Sequence, residues 1–589
     1  MIFLDKTPKG NIDINTFYQS VNDLQIGLMA TYNVLRTKDF QTGEWLFGEA
    51  TSDNVVRDKN FNKADEAAQI MEFNFSNDNS HILTRWRSNY QGINKANQVI
   101  HFGPKIHQSF IDANIEPKTT QAEISRIIGE AKFLRALFYF NLVKTFGDVP
   151  IVPEVLEING NEDNFRQSRM EKDMVYDYIE KDLREAALAM FDRKNDNSKY
   201  TKGRATVGAA LSYLVKIQAY RAESGVPGGH VNWKEALLFG GHIATGIPSS
   251  LNIGNDILNI DTLYSDEIAQ YVNSSNVSAD SARQLVANDI KNRLALQTLD
   301  LSNSENFAGT AYNVTHESTL YEYIFRKEGE FSQSSIFEIN HVDDRDYNVS
   351  ANWLNFNSQS GTKDIKDIMK GAPIFSNSYS GNKLSVSQRI AISAVEHGKK
   401  ISFPEDDELD NTQSVNTSKG EPVDLYIVKW HSIKGQGSIN NSGTPKNMRL
   451  LRFADIILLY AEALNECGFQ QEAYDQLVRL YNRADKIVES GLTTANQGEP
   501  EKPFLDMGDY FFMRDQIWLQ RRIELCFEFD RFFDIVRQKR AAELFSQFNT
   551  DISDKTYFKN FTPGINEVFP IPQEEITLSN GSLKQNKGY

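Results

Sequence analysis

The sequence predicts a mainly α-helical protein, in which about four tetratricopeptide-like helix pairs form a solenoid scaffold around a large loop-rich variable region. Two observations support this fold class. Apolar residues recur at helical spacing in both terminal parts of the chain, and the part between them is rich in Asn, Ser, Gly and Asp. We therefore expect residues 1–245 to carry the first helix pairs, residues 246–445 to form the variable region, and residues 446–589 to carry the last pairs and the tail.

The N-terminal part contains three strong helix signals. Residues 85–100 place one set of side chains on a single face, and residues 129–146 are apolar most of the way round, which is typical of a helix buried between others. Gly147 and Pro150 end this second helix, because neither favours its continuation. Residues 204–222 repeat the apolar pattern.

The clearest helix pair covers residues 447–485. Its first helix has a narrow polar stripe, Gly468 interrupts the chain, and a second helix with one apolar face follows. Two helices joined by a short glycine turn resemble a tetratricopeptide unit of about 34 residues. Residues 207–243 are a weaker copy, and residues 515–545 would supply a fourth pair. Because such pairs cannot bury their apolar faces alone, we expect them to stack.

The variable region reads differently from the helical parts. It carries short strand-like pieces, such as residues 334–342 and 424–430, between turn-forming stretches. A polar, loop-rich insertion on a rigid helical scaffold is a common place for a binding surface. The sequence therefore favours residues 246–445 as the ligand-binding part.

Composition and missing motifs exclude several function classes. The chain has 63 Lys and Arg against 79 Asp and Glu, a net charge of −16, and no dense basic tract, so nucleic acid is not an expected partner. A membrane-spanning helix needs about 18 consecutive apolar residues, and no apolar run in the sequence is that long. There is no nucleophile-elbow, zinc-protease or phosphate-loop motif, and no metal-ligand spacing of His or Cys. We expect no catalytic residue, no metal and no cofactor.

Six segments carry a family resemblance, and they occur in order along the chain. They are FLDKTPKG at 3–10, the Trp and Tyr pattern of 86–100, GEAKFLRALFYFNLVKTFGDVPIV at 129–152, SSIFEIN at 334–340, RFADIILLYAEALNECG at 452–468, and FPIPQEEITLSNGSLKQNKGY at 569–589. Together they resemble the SusD/RagB family of surface glycan-binding lipoproteins. Each segment alone is a weak match to the family, but the six occur in the expected order over nearly the whole chain.

The resemblance implies both a fold and a role. The fold is four tetratricopeptide-like helix pairs that cradle a variable region. The role is non-catalytic binding of oligosaccharide at the cell surface and its delivery to a SusC-like TonB-dependent outer-membrane transporter. The family carries a lipid on a cysteine that ends a cleaved signal peptide. We therefore expect a lipid anchor ahead of residue 1, since MIFLDKTPKG has neither the charged start nor the apolar run of a signal peptide.

Candidate sugar-binding residues are aromatic side chains in polar surroundings. The C–H faces of pyranose rings stack on Trp or Tyr, while amides orient the hydroxyl groups. Trp353 is the leading platform, with Tyr347 and Asn352 beside it, and Trp45 in the polar stretch 41–54 is a second.

The charges beside Trp353 bear on the kind of glycan. Three aspartates stand against one arginine within residues 343–346, whereas a uronic acid polymer would require a basic cluster. The sequence therefore slightly favours a neutral glycan. In contrast to Trp353, the apolar helical contexts of Trp86 and Trp518 predict core positions, and Trp233 is expected to pack at a helix start.

The sequence is also compatible with two alternative functions. A predicted helix over 516–539 places four charged side chains on one face: Arg521, Glu524, Glu528 and Arg531. Its two carboxylates, or aspartates of the loops, could serve a helical glycoside hydrolase. The adjacent arginines favour a structural ion-pair ladder instead. The second alternative is a cytosolic tetratricopeptide scaffold that binds protein peptides. A precursor whose signal peptide ends in a lipid-attachment cysteine would exclude it.

Overall fold

The computed structural model describes residues 14–57, 65–112, 118–153, 155, 167–191, 203–222, 231–244, 278, 281, 335–339, 359–361, 394–396, 425–427, 447–485, 509–551 and 560–589. These residues are mainly helical, and their strands are short. Among them, none of the helices is both long enough and apolar enough to span a membrane.

The N-terminal part consists of helices that pack on their neighbours in sequence. They are α1 (Ile14–Phe17), α2 (Val21–Leu35), α3 (Lys38–Trp45), α4 (Glu66–Met71), α5 (Ser80–Asp112), α6 (Lys118–Phe146), α7 (Lys172–Phe191), α8 (Val207–Arg221) and α9 (Val231–Ala244). A π-helical turn, Leu46–Ala50, follows α3 directly. Helix α6 lies between α5 and α7, which explains why its sequence is apolar nearly all round. The three helices predicted in this part are confirmed.

The C-terminal part continues the same packing. Its helices are α10 (Phe453–Glu466), α11 (Gln470–Asp485), α12 (Tyr510–Glu524), α13 (Arg531–Arg537), α14 (Ala541–Asp551) and α15 (Gln573–Leu578). Helix α10 contacts α11 and α12, and it also contacts α8 and α9 of the N-terminal part. The predicted pairs α8–α9 and α10–α11 are confirmed, and Gly468 between the latter two has a φ of +88° that favours glycine.

The first helix of the pair at 447–485 begins later than the sequence predicts. Residues Met448–Arg452 form a strand, and the helix begins at Phe453. Both faces of this strand are largely buried, so its apolar residues do not show the alternation that would distinguish it from a helix start. The strand pairs antiparallel with Ser335–Ile339, and this pairing places Arg449 opposite Glu338.

The continuous helix predicted over 516–539 is wrong. Helix α12 ends at Glu524, and α13 begins only at Arg531. Between them, Phe527 and Phe529 have φ values of +63° and +73°, which no α-helix accommodates. Their backbone N–H groups donate to the Glu49 carboxylate at 3.0 and 3.1 Å. A contact with a residue far away in sequence therefore interrupts the helix.

The described strands form two small antiparallel arrays. They are β1 (Val55–Arg57), β2 (Ser335–Ile339), β3 (Gln359–Gly361), β4 (Ala394–Glu396), β5 (Leu425–Ile427) and β6 (Met448–Arg452). One sheet has the order β1-β3-β5-β4, and β2 pairs with β6. Short strands in the variable region are thus confirmed. The division of the chain at residues 245 and 446 stays a prediction. Strand β1 pairs with β3 across the first boundary, and β2 pairs with β6 across the second.

Candidate functional site

Three of the four predicted sugar-binding residues, Tyr347, Asn352 and Trp353, lie outside the described residues. The structure does describe the strands on either side of them in the chain. Strand β2 precedes this segment, and strand β3 follows it. The candidate segment therefore connects two strands whose contacts are known.

Both flanking strands are attached to the helical scaffold. Strand β2 pairs with β6, which leads directly into α10. In β2, Phe337 is 3% exposed, and its ring meets Phe133 of α6 edge-on with 5.0 Å between centroids. Strand β3 pairs with β1, in the register Val55–Gly361, and β1 follows the π-helical turn. Both described strands that flank the candidate segment in the sequence are therefore paired with strands that join the helical scaffold.

The fourth predicted residue, Trp45, is not an exposed platform. It ends α3, is 1% exposed, and packs edge-on against Phe529 with 6.2 Å between ring centroids. A sugar needs an open ring face to stack on, so Trp45 is a core residue and its assignment to a sugar site is wrong. Trp86 and Trp518, each 4% exposed, and Trp233, fully buried, are core residues as predicted.

The two carboxylates that could have served a hydrolase bind one arginine. Arg452 Nε lies 2.6 Å from a Glu528 oxygen, and Arg452 Nη1 lies 3.2 Å from Glu524 Oε1. Arg452 is 1% exposed, and the Glu524 side chain is fully buried. The helix ends between the two glutamates, so they do not share one helix face. The predicted structural role of the two carboxylates is confirmed, but the cation that binds both is Arg452, whereas Arg521 and Arg531 of the predicted ladder bind Asp455, Asp534 and Asp53. The Glu524 and Glu528 side chains are 0% and 7% exposed, too little for either to reach a polysaccharide.

A second set of buried ion pairs joins α10, α12 and α13. Arg521 contacts Asp455 at 2.8 Å and Asp534 at 2.9 Å, and Arg537 contacts Glu462 at 2.8 Å and Asp534 at 2.7 Å. Burial disfavours the charged guanidinium of Arg521, but the two aspartates outweigh burial and raise its pKa. These ion pairs hold the three helices together, which suits a structural role.

A third buried cluster connects the π-helical turn to α12 and α13. Asp53 accepts hydrogen bonds from Arg531 at 2.8 and 2.9 Å and lies 3.3 Å from Arg522. Burial alone would raise the pKa of Asp53, but the two arginines outweigh burial and hold it well below its usual range. Asn54 accepts a further hydrogen bond from Arg522. These contacts fix the residues that lead into β1.

The third cluster is what sequence reasoning missed. Glu49 and Asp53 lie in a stretch that reads as a polar loop, yet both are buried. The only local signal was the density of acidic residues within residues 41–54, and the arginines that bind Asp53 and Asn54 lie more than 460 positions away. In the described part of the chain, no group of three or more His, Cys, Asp or Glu side chains is arranged to hold a metal ion.

Comparison with known proteins places this architecture in a family. The model of the SusD family matches residues 269–589, and a second model, described as starch-binding associating with outer membrane, matches residues 2–218. A relative, SusD-like protein P38 of Formosa agariphila, is 22% identical over all of this chain and 95% of its own length.

Solved structures agree with the fold. A SusD homolog from Bacteroides thetaiotaomicron has a TM-score of 0.66 at 17% identity, with 98% of each chain covered. Surface glycan-binding protein A of the same organism, solved in complex with laminarihexaose, has a TM-score of 0.59 at 18% identity, covering 96% of this chain and 99% of its own. Together with the family match over more than half of the sequence, this shows that the chain belongs to the SusD family.

Proposed function

We propose that this protein binds oligosaccharide or polysaccharide at the cell surface and passes it, chemically unchanged, to a SusC-like TonB-dependent transporter of the outer membrane. The observation that carries the proposal is the pair of family matches, one of them described as starch-binding and associating with the outer membrane. The neighbour solved with laminarihexaose supports a glycan as the ligand. A lipid anchor ahead of residue 1 would hold the protein at the surface.

The binding site in this proposal is the segment between β2 and β3. Trp353 offers a ring for a pyranose face, while Tyr347 and Asn352 hydrogen-bond the hydroxyl groups. The flanking strands support this placement, because both pair with strands that join the helical scaffold. The aspartates of residues 343–346 favour a neutral glycan.

The proposal includes no chemical step. Glu524 and Glu528, the carboxylate pair considered for hydrolysis, are buried against Arg452. A general acid must reach the glycosidic oxygen, and a nucleophile must reach the sugar ring. Neither group can do so from this position, which supports binding without cleavage.

Affinity electrophoresis against a panel of neutral and acidic polysaccharides tests the function. Trp353→Ala should weaken binding to the cognate neutral glycan at least about tenfold, which corresponds to about 1.4 kcal/mol. Phe511→Ala is a matched control, since Phe511 is an exposed aromatic, 53% exposed, on α12. Unchanged affinity in Trp353→Ala would refute the site. Failure of the wild-type protein to bind any glycan in the panel would refute the function.

Delivery to a transporter needs a separate experiment in cells. Uptake of the labelled cognate glycan should fall when the gene is deleted and recover with the wild-type gene. It should recover only partly with Trp353→Ala. Full uptake in the deletion strain would show that the protein does not supply a transporter with this glycan.

A further inference from the structure

A small polar cavity of about 20 Å³ lies inside the scaffold, where α3, α6, α8 and the turn between α12 and α13 meet. Charged groups of both signs line it, among them Glu44, Lys144, Lys216 and Asp530. The side chains of these four residues are between 5% and 11% exposed. None of its lining residues is among those proposed for the sugar site.

Among these four residues, Lys144 lies farthest from its oppositely charged neighbours. Its Nζ lies 3.4 Å from Asp530 Oδ1 and 3.8 Å from Glu44 Oε2. Hydrogen bonds between an ammonium and a carboxylate are usually about 2.7–2.9 Å long, and an ammonium has three N–H groups to place. Its other close neighbours are the rings of Phe140 and Phe533, with centroids 5.2 and 4.5 Å away.

Lys216 and Glu44, which also line the cavity, have shorter contacts. Lys216 Nζ lies 2.7 Å from Asp530 Oδ2 and 2.9 Å from Asp455 Oδ2. Asn141 donates to Glu44 Oε1 at 2.6 Å, and Arg85 binds the same oxygen. Glu44 and Asp530 therefore each have one oxygen close to another partner. Their other oxygens lie 3.8 and 3.4 Å from Lys144 Nζ, and the 3.4 Å contact is a long hydrogen bond that leaves Lys144 with N–H groups to place.

We propose that the cavity binds one ordered water molecule, which accepts a hydrogen bond from Lys144 Nζ and donates to Glu44 Oε2 and Asp530 Oδ1. A bound water needs about 10–15 Å³ and two to four polar partners, and this cavity offers both. The 3.8 Å contact between Lys144 Nζ and Glu44 Oε2 is too long for a direct hydrogen bond, so a water beside these two groups would give both of them a partner.

The charges around the cavity favour a neutral ligand over an ion. The ammonium groups of Lys144 and Lys216 balance the carboxylates of Glu44 and Asp530. The remaining charged lining residue, Glu528, is bound by Arg452 at 2.6 Å. A water also helps Lys144 directly. Burial lowers the pKa of this lysine against the attraction of Asp530 and Glu44, and a third hydrogen-bond partner stabilises its charged form.

A crystal structure of the wild-type protein, at a resolution that shows ordered solvent, tests the proposal. It should contain one solvent peak within about 3 Å of Lys144 Nζ and of both carboxylate oxygens. Lys144→Met should lose this peak, because it removes the donor. Lys132→Met, on the same helix but in the partly exposed pair with Glu185, is the control and should retain it.

Three results would overturn the proposal. One is a cavity without solvent density in a wild-type structure whose lining side chains are well ordered. Another is a peak with anomalous scattering or with the contact distances of an ion. The third is a peak that persists unchanged in Lys144→Met. If that variant does not fold, the wild-type and Lys132→Met structures still decide whether the water is there.

Discussion

Replacing Arg452 by methionine removes the guanidinium that binds two buried carboxylates. Arg452 is 1% exposed, and the side chains of its partners Glu524 and Glu528 are 0% and 7% exposed. Methionine fills much of the space but leaves both glutamates without this cation. Breaking a buried ion pair by removing one partner costs about 3–5 kcal/mol, because the remaining charge has no compensation. We expect the free energy of unfolding to fall by that amount at neutral pH.

Arg87→Met is a control that differs mainly in burial. Arg87 also binds two carboxylates, those of Glu574 and Glu575, each at 2.7 Å, but its side chain is 46% exposed. An exposed pair contributes about 0–1 kcal/mol, because water and salt screen the charges. Arg87→Met should therefore lower the free energy of unfolding much less than Arg452→Met does.

Urea unfolding followed by circular dichroism measures both variants. The midpoint should shift strongly for Arg452→Met and little for Arg87→Met, with the slope of the transition unchanged. Equal losses in the two variants would refute the argument that burial sets the magnitude. A further variant that also carries Glu524→Gln and Glu528→Gln should recover part of the loss, since it removes the uncompensated charges.

Three further predictions concern the π-helical turn and its surroundings. Trp45→Ala should lower the free energy of unfolding by about 3–5 kcal/mol in urea titrations without changing glycan affinity of the folded protein; weaker binding at full stability would contradict its core position. Gly48→Ala would place a methyl carbon 1.7 Å from the Phe529 carbonyl oxygen, so we expect a loss of about 1–3 kcal/mol, and an unchanged midpoint would contradict this close approach. Because the pKa of Asp53 is lowered in the fold, its contribution is complete above the unfolded value of about 3.9 and is lost as the pH falls further. Asp53→Asn should therefore be less stable at pH 7 and lose less stability on acidification, as urea midpoints measured across pH would show.

The predictable part of the fold is the part that local periodicity determines. Residues 129–146 are apolar on nearly all sides, and they form the buried helix that this pattern indicates. The strand at Met448–Arg452 was missed because both of its faces are largely buried, so its apolar residues carry no period of two. The end of α12 was missed for another reason. The helix end depends on Glu49, whose carboxylate accepts hydrogen bonds from the backbone N–H groups of Phe527 and Phe529.

Distance along the chain also explains the error at Trp45. Its neighbours Glu44, Glu49 and Asp53 made the stretch read as an exposed loop, yet all three are buried. Each is compensated by a group that the local sequence does not contain, such as Arg531 for Asp53. Local polarity is therefore weak evidence for exposure in a chain of this length, because a partner hundreds of residues away can neutralise a buried acid.

The same reasoning changes what supports Trp353 as a platform. Its polar neighbours carry no more weight than those of Trp45 did, so the support comes from its position between β2 and β3 in a family of glycan-binding proteins. A platform and a core residue respond differently to truncation. Alanine at a platform costs affinity and little stability, whereas alanine at a core position costs stability first. Measuring glycan affinity and urea midpoint together for Trp353→Ala and Trp45→Ala therefore separates the two roles, and a Trp353 variant that loses only stability would place it in the core.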